Sequence, residues 1–401
     1  MTFLYDIVNL EFIVIVSFVA VSVYLRLEPL KVALIFMHII VIFLLNDVLF
    51  EPSYWGDQNR YLSVTKSIRN VIVGTLLSIE ELISPEGIFS VGDVLRILLP
   101  SYIFAFSPIP FINSVQSIAM INFLLYLLSF FYLKKKRISS NSVDFFFLLY
   151  PSFLLYSSLA LRETLTTLFM ILSLYFLIVE EKKLTAFILM LPLAIIKIQN
   201  FLILILAYVV HSFLRNGSIQ RYLILIGVGL LVIFLGDHVP LINFFFEKID
   251  YYRYNLIAEN FGYNWDFMSD YNYQPFTVGF PMILLVLKSF VYMLFKPFPW
   301  EATNLVQLIQ SVENIVIAGL ILWILGKRAK TSVIKKKLLF LNILLILSMT
   351  IYGLVTFNFG TAARFRFPFI VVYLVFYLYL LKSDKIISRQ FFRGYSSTPA
   401  I

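Results

Sequence analysis

Residues 143–179 read VDFFFLLYPSFLLYSSLALRETLTTLFMILSLYFLIV. Two apolar runs, Val143–Leu159 and Thr164–Val179, flank Arg162-Glu163 with almost no other polar loop around the pair. Each run approaches the roughly 20 residues that carry a helix across a bilayer core, so the stretch predicts a membrane helical hairpin with charges at its turn. A charge inside or against a bilayer costs about 3 kcal/mol even on the most lenient scale, and such residues usually line a cavity with a function. Arg162 alone can snorkel and pair with Glu163. The functional reading gives Arg162 a phosphate, since its planar fork offers bidentate bonds and a permanent charge, with Glu163 orienting it.

Outward from this hairpin the composition agrees. The 401 residues are 60% hydrophobic and 14% charged, and mean hydropathy is +0.89. These values exclude a water-soluble protein and predict an all-α, polytopic transmembrane bundle forming a single integral membrane domain over residues 1–401. The chain has no cysteine, which forbids disulfides and thiolate metal sites. The first apolar run, Ile7–Tyr24, follows an acidic start without a basic n-region and reads as a span rather than a removable signal. The net charge of +9 is concentrated in short loops, as the positive-inside rule expects, so it is not read as a sign of nucleic-acid binding.

The basic patches set a topology. Arg26–Lys31, Lys134–Arg137, Arg215–Arg221, Lys327–Lys337 and Lys382–Arg393 are placed in the cytoplasm. Spans then alternate over residues 31–49, Phe111–Leu133, Val143–Leu159, Thr164–Val179, Leu184–Ile196, Phe201–Leu214, Tyr222–Gly236, Leu305–Leu325, Leu338–Phe357 and Phe367–Leu381. With Ile7–Tyr24 this gives about eleven crossings, an external amino terminus and a cytoplasmic carboxyl terminus. Residues 50–110 form a first external loop with helices lying on the membrane, and residues 237–277 a large second one. Several spans are short, which suggests a thinned bilayer or a polar-lined region. A full crossing by Val278–Phe295 would put Lys327–Lys337 outside, so a re-entrant or interfacial helix is expected there, broken at Lys296-Pro297-Phe298-Pro299.

The external face collects the candidate site. Asp57 and Arg60, three apart, share a face if their loop is helical. Asp57 serves either as a local cap or as a general base for an acceptor hydroxyl, a task that partial desolvation of a carboxylate favours. Lys197-Ile198-Gln199-Asn200 interrupts another apolar stretch with one cation and two amides. Those amides either bond between helices or bind a sugar. Arg364-Phe365-Arg366 lies just outside the last expected span, on the side the positive-inside rule disfavours. A pyrophosphate accounts for it, as do anionic lipid headgroups. Spaced by two, the arginines diverge in a helix and align in an extended segment, so one is expected as the ligand and the other stays open. Tyr263, Trp265 and Asp266 in the second loop suit a sugar ring, or an interfacial aromatic belt. His38, His211 and His238 are not grouped, so neither a metal nor another cofactor is called for, and no phosphate-loop glycine motif is present.

Taken together, Asp57–Tyr61, Pro151-Ser152 leading to Leu161-Arg162-Glu163, and Arg364-Phe365-Arg366-Phe367-Pro368 resemble the Wzy-like O-antigen and capsule repeat-unit polymerases, within the GT-C type of membrane glycosyltransferases. The resemblance spans most of the chain on short motifs. Where many such polymerases carry an RX10G-like arginine pattern in a long external loop, this chain has an acidic, tyrosine-rich loop with only Arg253. The resemblance implies a GT-C-like fold in the bacterial inner membrane and transfer of a growing glycan from undecaprenyl diphosphate to the next lipid-linked repeat at the periplasmic face. Its implied partners are undecaprenyl-diphosphate-linked glycans, membrane lipid and a chain-length regulator protein. Metal-independent transfer then has Asp57, Arg162 and Glu163 as catalytic residues. Arg364, Arg366 and Lys197 hold the diphosphate, and Arg60, Gln199, Asn200, Tyr263, Trp265 and Asp266 contact sugar. Two rivals are a GT-C glycosyltransferase using a polyprenyl-monophosphate sugar and a flippase for lipid-linked oligosaccharide.

Overall fold

The computed structural model describes residues 16, 20–22, 24–48, 56–72, 91–105, 114–215, 217–261, 278–327, 329–356 and 359–395. Ile7–Tyr24 lies almost wholly outside these, as do Tyr263, Trp265 and Asp266. Every regular element among the described residues is helical. Five helices there are long and apolar enough to cross a membrane: Pro29–Asn46, Val115–Lys135, Leu305–Leu325, Ser332–Val355 and Phe359–Ile387. The chain is thus an α-helical membrane protein, and it divides into two compact units, residues 1–202 with 374–379 and residues 203–373 with 380–401.

In the first unit α1 (Pro29–Phe43) starts at a proline and runs on as a π-helical turn, Leu44–Val48. Proline suits the first helical turn because its missing N–H has no helical partner there. Helices α2 (Gly56–Ile72) and α3 (Val91–Ala105) pack together and against α4 (Val115–Lys135). The expected single span over Val143–Leu159 is instead two short helices, α5 (Asn141–Leu149) and α6 (Pro151–Ser157), because Pro151 forces an extended Tyr150 before it. Then come α7 (Glu163–Leu174), prolonged by a π-helical turn Tyr175–Val179, α8 (Lys183–Ile196) and the first turn of α9 (Ile198–Leu214), which belongs to the second unit from residue 203 on.

A buried ionic knot closes one end of this unit. Asp144 on α5 is inaccessible to solvent and lies 2.8 Å from Lys31 Nζ at the start of α1. Lys134 at the end of α4 and the Ser139 hydroxyl also bond its carboxylate. The patches Arg26–Lys31 and Lys134–Arg137 therefore share one end of the unit.

The second unit contains α10 (Ile219–Leu235), α11 (Pro240–Phe261), α12 (Phe280–Phe295), α13 (Leu305–Leu325), α14 (Ser332–Val355) and α15 (Phe359–Tyr395), whose segment 374–379 belongs to the first unit. Asp384 accepts from the backbone N–H groups of Lys330 at 2.7 Å and Thr331 at 2.9 Å, and His211 Nε2 lies 3.0 Å from the Lys336 carbonyl. These contacts gather three basic patches at one end. Gly279, just before α12, donates to the Ile233 carbonyl near the opposite end of α10, whereas the end of α12 meets Asn314 in the middle of α13. The chain then returns through Pro297–Thr303 to the start of α13, so α12 and the segment after it enter and leave at the end away from the lysines.

Two stretches are more regular than their sequences suggested. The first half of the expected loop over residues 237–277 is the 22-residue helix α11. No glycine or proline follows Pro240 before residue 262, so nothing breaks it. Arg364 and Arg366 lie inside α15, a continuous 37-residue helix, rather than in a connection before a shorter span.

Candidate functional site

Helices α7, α8 and α9 are short. At about 1.5 Å per residue the 14 residues of α8 reach only about 21 Å and the 17 of α9 about 25 Å, against a core of about 30 Å. The break before α7, Ser158–Arg162, and the joint between α8 and α9 at Lys197 are not splayed into solvent: Ser158 to Leu161 are buried, as are Glu163, which opens α7, at 0% exposure and Lys197 at 2%. Glu163 Oε1 and Lys197 Nζ lie 3.7 Å apart. Glu163 is the first residue of α7 and Arg162 its N-cap, with no side-chain cap bond. A carboxylate in that first turn is favoured by the helix dipole.

The five residues before α7 are not helical, and their backbone is paired by side chains from three other helices. Asn122 Nδ2 on α4 donates to the carbonyls of both Leu159 and Leu161. Asn46, at the end of α1, donates from Nδ2 to the Ser158 carbonyl at 2.9 Å. Gln58 Oε1 in the first turn of α2 accepts from the Ala160 N–H, and its Nε2 donates to Asn46 Oδ1 at 3.4 Å. Irregular backbone in an apolar interior requires this pairing, because each unsatisfied group costs several kcal/mol. Asp57 is half-buried and precedes Gln58 in the first turn of α2, the helix whose Gln58 reaches the break. Arg162 is itself half-buried, and its Nε has no hydrogen-bond partner among the described residues.

The sequence candidates are thus sorted. Asp57, Arg162, Glu163, Lys197 and Asn200 belong to the first unit, and Asn200 is buried with its Nδ2 3.4 Å from Met170 Sδ. Gln199 and Arg60 are exposed. Asp57 and Arg60 do fall in one helical turn, since α2 begins at Gly56. Glu163, expected to orient Arg162, faces Lys197, so the lysine charge is engaged by a carboxylate.

Arg364 and Arg366 belong to the second unit. Being helical, they project about 200° apart: Arg366 is buried and Arg364 half-buried. Arg366 Nη1 donates to the carbonyls of Met293 at 2.7 Å, Leu294 at 3.1 Å and Lys296 at 3.4 Å, while Nη2 bonds Asn314 Oδ1. It satisfies the carbonyls that the end of α12 leaves open, a structural task. Arg366 is thereby occupied as a cap of α12, while Arg364 is half-buried and has interactions of its own.

Reasoning from charges missed the amides Asn46, Gln58 and Asn122, and the Gln310, Glu313 and Asn314 face buried on α13. Asn122 was visible as a lone amide within the run Ile118–Phe131. His38 is a core residue: Nε2 lies 3.1 Å from Ser157 Oγ and the ring packs edge-on to Phe123 and Tyr126. Among the described residues no group of three His, Asp or Glu side chains is placed to hold a metal ion.

Fold and site together define a multi-pass α-helical membrane protein with a buried, charged break in one of its helices. Compared with known proteins, the chain matches no family model, no curated protein and no solved structure.

Proposed function

We propose that this protein is a glycosyltransferase of the bacterial inner membrane that polymerises undecaprenyl-diphosphate-linked repeat units into O-antigen or capsular polysaccharide. The observation that carries the reading is the meeting of Glu163 and Lys197 at 3.7 Å, beside Arg162, at a helix break that Gln58 of α2 holds. In this reading the lysine- and arginine-rich connections face the cytoplasm, the short helices complete a GT-C-like set of about eleven crossings, and the break opens toward the periplasm. Recession of the turns by about 5–10 Å below a full core thickness keeps the prenyl tail in lipid while its diphosphate reaches the site.

The step uses the first unit. Asp57 takes the proton of the acceptor hydroxyl, the hydroxyl oxygen forms a bond to the anomeric carbon, and the bond from that carbon to the diphosphate oxygen breaks. Undecaprenyl diphosphate leaves with the electron pair, and Arg162 neutralises the charge that develops on it. Lys197 and Glu163 hold the turn in register. Purified protein supplied with a defined undecaprenyl-diphosphate repeat unit yields a ladder of longer lipid-linked glycans, and Asp57→Asn or Arg162→Ala abolishes it with elution unchanged. Single-sugar transfer from a polyprenyl-monophosphate donor, with no ladder, assigns the protein to the other GT-C group instead.

The broken helix favours a second reading. Transporters form substrate sites at interrupted helices buried in the membrane, so a flippase for lipid-linked oligosaccharide also fits Ser158–Arg162. Movement of that lipid across proteoliposomes without elongation selects it.

A further inference from the structure

We propose that Asn46, Gln58 and Asn122 act as one clamp that fixes the non-helical path of Ser158–Arg162 and so sets the place of Arg162. For its catalytic consequence this rests on the glycosyltransferase reading. For its geometry it does not.

Four consecutive residues of the break, Ser158 to Leu161, are each gripped by a side chain. The grips come from α1, α2 and α4, so the break is tied to three helices far apart in sequence. Gln58 also bonds Asn46, which joins two of the three amides directly. Just before the break, His38 meets Ser157. Just after it, the Arg162 carbonyl accepts from the Thr166 N–H at 3.0 Å and the Thr166 hydroxyl at 3.1 Å. Arg162 thus enters α7 from a backbone held on both sides, while its guanidinium stays half-buried and unclamped. All three amides are nearly inaccessible, at 2% exposure or less, so water cannot replace a lost bond.

The polarity of each grip is specific. Asn46 and Asn122 must donate to carbonyls, whereas Gln58 must accept from an N–H. A glutamate at 58, kept neutral by burial, still accepts through its carbonyl and still donates its hydroxyl to Asn46. Leucine at 58 does neither. An aspartate at 122, kept neutral in the same way, has one hydroxyl for two carbonyls, so one of them loses its donor and meets an acceptor oxygen instead. A clamp that positions Arg162 therefore tolerates Gln58→Glu and fails in Gln58→Leu and Asn122→Asp, an order that size or hydrophobicity does not produce.

The chain has no cysteine, so the full-length protein carrying Arg162→Cys has one thiol, and its alkylation by a small water-soluble maleimide reports the position of the break. The reference is Lys182→Cys, at an exposed turn beyond the far end of α7. Gln58→Leu and Asn122→Asp are expected to change the rate at position 162 by about tenfold, the factor that about 1.4 kcal/mol represents, with the reference rate unchanged. Gln58→Glu is expected to stay within about twofold of the parent. Equal rates in all variants, or parallel changes at the reference, overturn the proposal. With Arg162 present, Gln58→Leu lowers turnover more than apparent affinity for the lipid-linked donor, and Gln58→Glu restores turnover. Wild-type protein that makes no ladder removes the polymerase reading, while the labelling order still decides the clamp.

Discussion

Glu163 Oε1 and Lys197 Nζ lie 3.7 Å apart, both nearly inaccessible, one opening α7 and the other separating α8 from α9. The two turns are thereby locked to each other. Taking one partner from a buried pair strands the other charge and costs about 3–5 kcal/mol, whereas replacing both is far less costly. Glu163→Gln and Lys197→Met are each expected to lower the melting temperature in detergent strongly, and the double variant to recover much of the loss. Strictly additive losses would show that the two side chains act independently.

Close packing makes Gly353 the sharpest steric test in the second unit. A Cβ there would stand 2.1 Å from the Ser289 carbonyl oxygen and 2.6 Å from its carbon. Both are backbone atoms of α12 and cannot swing aside, so α12 and α14 must separate. Gly353→Ala should destabilise by about 1–3 kcal/mol or more. Gly319→Ala on α13, where a Cβ meets nothing within 4 Å, should be neutral or stabilising by up to about 1 kcal/mol. Thermal unfolding of the two variants side by side checks the contrast.

How far the sequence carried follows from these residues. Charges in apolar runs are legible because hydrocarbon penalises them, and so Arg162, Glu163 and Lys197 stood out. The end of α12 was legible from Pro297. Amides pass unnoticed, since one Asn in a span is tolerated when a backbone carbonyl answers it, and only the fold shows that Asn46, Gln58 and Asn122 answer the same five residues. Arg366 was read for its charge, and that its fork fits three carbonyls and an amide is something no spacing rule reveals. The helix over 240–261 was obscured because tyrosine and asparagine suggest a loop by composition, while the missing glycine and proline were the better guide.

The Arg366 cap yields a test that separates charge from shape. Lysine keeps the positive charge but offers one ammonium where four acceptors sit around a planar guanidinium. Arg366→Lys should therefore be nearly as destabilising as Arg366→Met, each by about 2–4 kcal/mol. A residue that served chiefly as an electrostatic phosphate ligand would instead retain most stability as lysine, or as methionine, and lose ligand binding. Melting curves of both variants, with and without undecaprenyl diphosphate, decide between these roles.

Asp144 carries the topological prediction. Its carboxylate holds Lys31 and Lys134, and Lys31 is 2% exposed, so Asp144→Asn leaves two ammonium groups close together without their shared counter-charge. That variant should be destabilised, and Lys134→Met added to it should restore part of the loss by removing the repulsion. The same knot requires the ends of α1 and α4 that bear these lysines to open on one side of the membrane. Glu28→Cys and Arg137→Cys, made singly in this cysteine-free chain, should both react with an impermeant thiol reagent in inside-out vesicles and be protected in intact spheroplasts. Labelling of the two positions from opposite sides would break the knot, and labelling of both from outside would keep the knot while reversing the proposed orientation. The basic residues place the first outcome ahead, because short loops rich in lysine and arginine are retained in the cytoplasm.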